Sequence, residues 1–146
     1  MNLFGLFQVS GSALTAERVR AEVVTSNLAN AETTRTPEGG PYRRRMVVFE
    51  GRQATPFRLL LAGSTAAAAG QEGVRVRDVV EDPAPAERRY QPGHPDADAA
   101  GFVDYPAINP VEEMVDLMGA SRSYELNASA VQAAKQMIQQ SLLILK

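Results

Sequence analysis

The apolar positions of this chain form two long helical patterns, one at each end. In residues 3–30, apolar side chains such as Leu6 and Val9 recur at steps of three and four. A second apolar row, which includes Leu14 and Leu28, runs beside the first, and many members of both rows are small. The spacing predicts an N-terminal helix with a wide apolar face.

The C-terminal pattern is longer and begins at a clear helix start. Asn109 suits the N-cap, Pro110 suits the first helical turn, and Glu112 stands where a capping box has its carboxylate. An apolar heptad row and a companion row three residues earlier then continue to the chain end, which predicts a helix of about 50 Å. The main row is Leu117, Tyr124, Val131, Ile138 and Leu145, and the companion row is Met114, Ser121, Ala128, Lys135 and Leu142.

Short strands and turns are predicted between the helices. Threonine, glycine and proline in residues 31–41 indicate a loop. Residues 51–73 are rich in glycine and alanine with little periodicity, which predicts a mobile loop. Strand patterns cover Met46 to Phe49 with a start extended to Tyr42, and then 74–80, 88–91 and 101–106.

These elements predict an α+β fold in three segments. Residues 1–32 form the N-terminal helix, 33–108 a small β-rich middle domain, and 109–146 the C-terminal helix, with the two long helices packed as a coiled-coil-like pair. The chain ends on an apolar run, and the middle offers little surface to cover two such helices. Two arrangements fit this pattern equally: helices that pack against other subunits, or a helical hairpin docked on its own sheet.

Composition excludes several classes of protein. The 146 residues include 15 basic and 17 acidic side chains, so a nucleic-acid binder is not indicated. No cysteine and a single histidine argue against disulfides, thiolate catalysis and zinc sites. No apolar run approaches the ~20 residues of a membrane span. The first basic residue is Arg18, so a cleavable signal peptide is not expected.

The histidine lies in a short acidic stretch that could hold a metal ion. His94, Asp96 and Asp98 fall within five residues. Prolines flank this stretch, and these residue types are common in turns, so we favour a turn. No nucleophile elbow and no phosphate-binding glycine motif occurs. We therefore predict no cofactor, no metal and no catalytic residue.

Two charged clusters have ordinary interpretations. Glu112, Glu113 and Asp116 could form a carboxylate site, but negative charge also favours the positive end of a helix dipole, which is the preferred interpretation. The arginines 43–45 could contact phosphates, but a solvated edge or a subunit contact suits the acidic overall balance better.

The segment from Ser26 to Thr33 is the most distinctive of the chain. Asn27 and Asn30 lie three residues apart at the end of the predicted N-terminal helix, where Asn30 could cap the helix. Asparagines in a packed bundle can also satisfy buried backbone groups and fix register. This segment resembles the signature of flagellar axial proteins, which include rod and hook subunits.

Further motifs in the same order are similar to those of the proximal-rod members of that family. They are Gly39–Arg44, Val48–Glu50, Pro92–Ala97, Gly101–Val103, Val111–Leu117 and Ala120–Glu125. The resemblance implies a structural subunit without enzymatic activity, whose terminal helices form the inner tube of the rod around the export channel and help transmit torque. It also implies a location in the periplasmic part of the basal body, after export by the flagellar type III apparatus.

The resemblance further implies assembly with copies of the same chain, other rod proteins, the adaptor at the rod base and the MS ring. The expected subunit-interface residues are Leu14, Asn27, Leu28, Asn30, Thr33, Met114, Leu117, Tyr124, Val131, Ile138 and Leu142. An alternative function is a soluble helical adaptor that binds one partner. A small cell-wall hydrolase is a third possibility, and its activity would depend on His94.

Overall fold

The computed structural model describes residues 3–52 and 73–144, and these form two long helices around two β-ribbons. This confirms the α+β prediction. The predicted mobile loop lies outside the described residues apart from Gly51, Arg52 and Gly73, and Leu145 also lies outside them. The elements in chain order are α1 (Leu3–Ala29), β1 (Arg45–Gly51), β2 (Val74–Glu81), β3 (Glu87–Tyr90), β4 (Phe102–Tyr105) and α2 (Pro110–Ile144).

The two helices pack side by side and run antiparallel. Asn27 near the end of α1 contacts Glu113 at the start of α2, and Arg20, further back on α1, reaches Asp116, further along α2. Both helices rise by about 1.5 Å per residue. Because Asn27 lies beside Glu113 and the helices are antiparallel, Leu3 at the start of α1 lies beside about residue 137 of α2. The last part of α2 therefore projects beyond the start of α1 by about 10 Å.

The predicted start of α2 is confirmed by its hydrogen bonds. The side-chain oxygen of Asn109 accepts the N–H of Val111 at 3.1 Å, which is an N-cap bond. Glu112 Oε1 accepts a bond from the side-chain amide of Asn109 at 3.2 Å. The predicted capping box thus closes between two side chains, whereas in the usual box the glutamate bonds to the backbone of the cap.

The row of α2 that is buried inside the subunit precedes the predicted companion row by one residue. Glu113, Ala120 and Ala134 are buried, whereas Met114, Ser121 and Lys135 at the next positions are exposed. Small side chains in this row let the two helix backbones approach closely, so the larger apolar side chains lie on the flanks and outer face of α2.

The middle segment forms two separate antiparallel ribbons. β1 pairs with β2, with a bulge where Val48 and Phe49 face Asp78 and Val76, and β3 pairs with β4. The predicted start of the first strand at Tyr42 is wrong, because the N–H of Tyr42 bonds to Thr33 and closes the preceding loop. Strand pairing begins at Arg45, opposite Glu81.

The apolar core of the described residues is small. Seven apolar residues are buried, among them Ala16 and Val24 on α1 and Val103 and Tyr105 on β4. Fifteen large apolar side chains are exposed, and nine of these lie on α2. Neither described helix combines the length and apolar composition needed to cross a bilayer. Within residues 3–52 and 73–144, the fold thus leaves many large apolar side chains exposed.

Two glycines provide a matched stability test. A Cβ at Gly119 in α2 would meet no atom within 4 Å, so Gly119→Ala should raise the free energy of unfolding by up to about 1 kcal/mol. Gly101 has φ +82°, and a Cβ there would lie 2.9 Å from the Tyr90 ring. Gly101→Ala should therefore lower the same quantity by about 1–2 kcal/mol. Urea unfolding followed by circular dichroism measures both, and a loss of stability in Gly119→Ala would contradict the packing described.

Candidate functional site

A buried asparagine joins α1, α2 and β1. Asn27 is 1% exposed, and its amide nitrogen donates to the Arg45 carbonyl at 2.8 Å and to Glu113 Oε2 at 3.0 Å. Its amide oxygen accepts the Arg45 N–H at 2.9 Å and the Tyr42 hydroxyl at 3.1 Å. The predicted pairing of an asparagine with buried backbone groups is therefore confirmed at this position.

The carboxylate that Asn27 contacts is neutralised by an arginine. Glu113 is 1% exposed, and its Oε1 lies 2.6 Å from Arg44 Nε. Asp116 and Asp82 flank the same guanidinium at 3.7 and 3.9 Å, and Asp116 also pairs with Arg20 at 3.3 Å. We call the group Asn27, Arg44 and Glu113 the polar anchor, because it fastens the β-rich middle segment to the helix pair.

The charge on Arg44 is stabilised by these neighbours. Partial burial acts to lower the pKa of the guanidinium, but the hydrogen bond to Glu113 and the charges of Glu113, Asp116 and Asp82 outweigh it and raise the pKa above its ordinary value. A buried carboxylate is costly unless it is paired and hydrogen-bonded. Both oxygens of Glu113 have partners, so the anchor is electrostatically complete.

The sequence-based interpretations of these charged residues hold for some of them only. Glu112 and Glu113 lie in the first turn of α2, as predicted, but Glu113 is buried and pairs with Arg44. Arg43 and Arg45 are exposed, whereas Arg44 is partly buried in an ion pair within the chain and is not a solvated edge. The heptad spacing could have indicated that Glu113 is buried, because Glu113 lies seven residues before Ala120 in the buried row of α2. No local feature of the sequence distinguishes Arg44 from its neighbours Arg43 and Arg45.

The rest of the asparagine segment ends α1 and directs the chain toward β1. The side-chain amide of Asn30 donates to the Ser26 carbonyl at 2.9 Å, and its oxygen accepts the Thr33 hydroxyl at 3.1 Å. The carbonyl of Thr33 then accepts the N–H of Tyr42 at 3.0 Å. Asn30 thus caps the C-terminal end of α1 through its side chain.

The expected interface residues differ in how much of each side chain is exposed in the single subunit. Asn27 is buried, and its side-chain amide is hydrogen-bonded within the chain. The others fall into two groups, and their contact with another subunit stays a prediction. Leu14, Leu28, Asn30, Thr33, Leu117, Val131 and Ile138 are partly buried, and Met114, Tyr124 and Leu142 are exposed.

The acidic stretch near the histidine forms a turn. Asp96 accepts the Thr34 hydroxyl at 2.7 Å, and Asp98 Oδ1 accepts the N–H groups of Ala100 and Phe102. The bond from Phe102 is the main reason that the pKa of Asp98 lies below its ordinary value. Over residues 3–52 and 73–144, no group of three or more histidine and carboxylate side chains could hold a metal ion.

Removal of the anchor asparagine tests its importance for stability. Asn27→Ala would leave the N–H and carbonyl of Arg45 and one oxygen of Glu113 without their partner, so the free energy of unfolding should fall by about 2–3 kcal/mol. Asn127→Ala is the matched control. Among the residues that the structure describes, the Asn127 side chain bonds only to the Ser123 carbonyl within α2, so its loss should change stability by less than about 1 kcal/mol. Equal effects in urea unfolding would contradict a special role of Asn27.

A double-mutant cycle tests the ion pair of the anchor. Glu113→Ala alone leaves Arg44 without its closest partner, and should cost about 3 kcal/mol or more. The double variant Arg44→Ala with Glu113→Ala should be less destabilised than the sum of the two single variants, because neither member of the buried pair is left behind without the other. Strict additivity in chemical unfolding would show that the two side chains are not coupled.

Comparison with known proteins places both helices in flagellar rod families. Residues 7–35 match the family model described as "Flagella basal body rod protein". Residues 99–144 match the model described as "Flagellar basal body rod FlgEFG protein C-terminal". The two matched regions contain the asparagine segment and all of the described part of α2.

Curated relatives extend the match to the whole chain. The flagellar basal-body rod protein FlgC of Borreliella burgdorferi is 40% identical over 100% of this chain and 99% of its own length. The FlgC proteins of Escherichia coli O157:H7 and Bacillus subtilis are 42% and 41% identical, each over 97% of both chains. Identity at this level over almost the full length shows common descent, and the chain therefore belongs to the FlgC family of flagellar basal-body rod proteins.

Proposed function

We propose that this chain is a subunit of the proximal rod that polymerises through α1 and α2 into a helical tube. The observation that supports this most directly is the unpartnered apolar surface. Fifteen large apolar side chains are exposed in the described residues against seven buried apolar residues. Monomeric soluble proteins rarely expose large contiguous apolar patches, whereas subunits of an assembly bury them against neighbours.

The proposed role is mechanical and involves no chemical step. A heterologous contact whose rotation does not close generates an open helical array. The antiparallel helices would form the wall around an export channel, and the polar anchor would hold the middle segment in a fixed position on that wall. Torque applied to the tube would then be resisted by many interlocked helices.

The same proposal assigns the segments, partners and location. Residues 1–32 and 109–146 would form the inner tube, and 33–108 would lie outside it. The partners would be copies of this chain, other rod proteins, the rod-base adaptor, the MS ring and the type III export apparatus. The subunit would lie in the periplasmic part of the basal body, after export without a cleavable signal peptide and without enzymatic activity.

A charge on the exposed helix surface tests this function. Tyr124 is 43% exposed, so Tyr124→Asp should change the stability of the isolated chain by less than about 1 kcal/mol. In a strain that lacks the native gene, this variant should abolish swimming and rod assembly, because the new carboxylate would be buried between subunits. Swimming in soft agar and electron microscopy of basal bodies measure the two effects.

The control is Ala99→Asp, which adds the same charge at an exposed position in the loop before β4. It should leave swimming intact. Full motility of the Tyr124→Asp strain would argue against assembly through this face of α2. A soluble adaptor would instead form a stable one-to-one complex with a single partner, which size-exclusion chromatography with light scattering would detect.

A further inference from the structure

A second attachment joins the ribbon of β1 and β2 to α1, far from the polar anchor. The Ser12 hydroxyl accepts the N–H of Val74, the first residue of β2, at 3.0 Å. The same hydroxyl donates to the Val9 carbonyl within α1 at 2.7 Å. Because a hydroxyl has one hydrogen to donate, the bond to Val9 fixes its orientation and leaves an oxygen lone pair for Val74.

Gly73 makes this close approach possible. Its φ is +104°, a backbone conformation that favours glycine, and a Cβ there would overlap the Ser12 hydroxyl and lie 3.3 Å from Val9 Cα. The Gly73 carbonyl also accepts the N–H of Arg52 at 2.8 Å, which closes this end of the ribbon beside α1. We call Ser12 and Gly73 the serine clasp.

The two attachments are separated by similar distances along the helix and along the strand. Asn27 bonds to Arg45 at the start of β1, and the clasp adjoins the end of β1, where Gly51 pairs with Val74. The stretch of α1 from Ser12 to Asn27 is about 22 Å long, and β1 is about 20 Å long. β1 therefore runs back along α1 and is attached to it at both of its ends.

The contact between the two attachments is not closely packed. A cleft of about 330 Å³ lies there, lined by valines of α1 and by Met46, Val47 and Phe49 of β1. Within residues 3–52 and 73–144, hydrogen bonds join α1 to this ribbon only at Asn27 and Ser12. Resistance to sliding between the helix and the ribbon therefore depends mainly on the polar anchor and the clasp.

Attachment at two points changes how α1 responds to force. A long helix bends readily, because the hydrogen bonds on one side lengthen slightly. A ribbon that is attached at one point slides along the helix as the helix bends, so it adds little resistance. A ribbon that is attached at both ends cannot slide, so the helix and the ribbon bend together as one thicker body.

We propose that the β1–β2 ribbon is a splint that stiffens α1 between Ser12 and Asn27, and that Ser12 and Gly73 are positioning residues for this role. This inference rests on the proposed function, because stiffness of α1 matters when the subunit carries torque. The polar anchor fixes one end of the splint, and the clasp fixes the other. Loss of the clasp should therefore weaken the rod under load without preventing its assembly.

Amide hydrogen exchange of the full-length chain, followed by NMR, tests the clasp. In Ser12→Ala the Val74 N–H loses its acceptor, so its exchange should become about fivefold faster or more. Gly73→Ala should have the same effect, because the added Cβ would displace the Ser12 hydroxyl. Thr15→Ala is the matched control, since the Thr15 hydroxyl bonds to the Gly11 carbonyl within α1, and it should leave the exchange at Val74 unchanged. Equal exchange at Val74 in Ser12→Ala and the native chain would show that the clasp does not hold the ribbon.

Strains that carry each variant as the only copy of the chain test the splint. Swimming speed is measured while methylcellulose raises the viscosity of the medium, and purified basal bodies are imaged by electron microscopy. All strains should assemble rods and swim in unthickened medium. Ser12→Ala and Gly73→Ala should stop swimming at a lower viscosity than the native chain and Thr15→Ala. Ser12→Thr keeps a hydroxyl that can form both bonds, so it should tolerate the same load as the native chain.

The outcomes separate the splint from the proposed function. Equal tolerance of load in the Ser12→Ala and Thr15→Ala strains would overturn the splint, although the proposed function would stand. Failure of Ser12→Ala to assemble rods in unthickened medium would also overturn it, because Ser12 would then be needed for assembly itself. Absence of the native chain from purified rods would instead contradict the proposed function.

Discussion

The side chain of Asn27 is the constraint on which the rest of this structure depends. A side-chain amide can pair with a backbone N–H and carbonyl in the way a neighbouring strand does, and Asn27 does this with Arg45. It therefore begins β1 at a defined residue and holds it against α1. Because the same amide also bonds to Glu113, one side chain sets the relative position of both helices and the first strand.

The ion pair between Arg44 and Glu113 makes this arrangement specific. Buried charges tolerate little displacement, because a shift of about one ångström removes hydrogen bonds that burial has made costly to lose. An apolar contact at the same point could slide by one helical turn at small cost. In a fold with so small an apolar core, this polar centre therefore sets the register between the two helices and the first strand.

Small apolar side chains are buried between the helices, and large ones are exposed. Alanines line the contact between α1 and α2, so the helices lie close together and larger side chains point outward. Within the described residues, many large apolar side chains are thus left exposed. Under the proposed assembly, contacts with neighbouring subunits would cover these side chains.

The sequence alone determined the two helices, the start of α2, the end of α1, the heptad spacing and the family. These depend on local chemistry: Asn109 caps the first turn of α2 whatever it packs against, and Asn30 closes the end of α1 with its own neighbours. Only the tertiary structure decided which α2 row faces α1, where β1 begins, and that Glu113 and Arg44 form a buried pair. The physical reason is that burial of a charge depends on a partner 69 residues away, and neither periodicity nor composition reports such a distant contact.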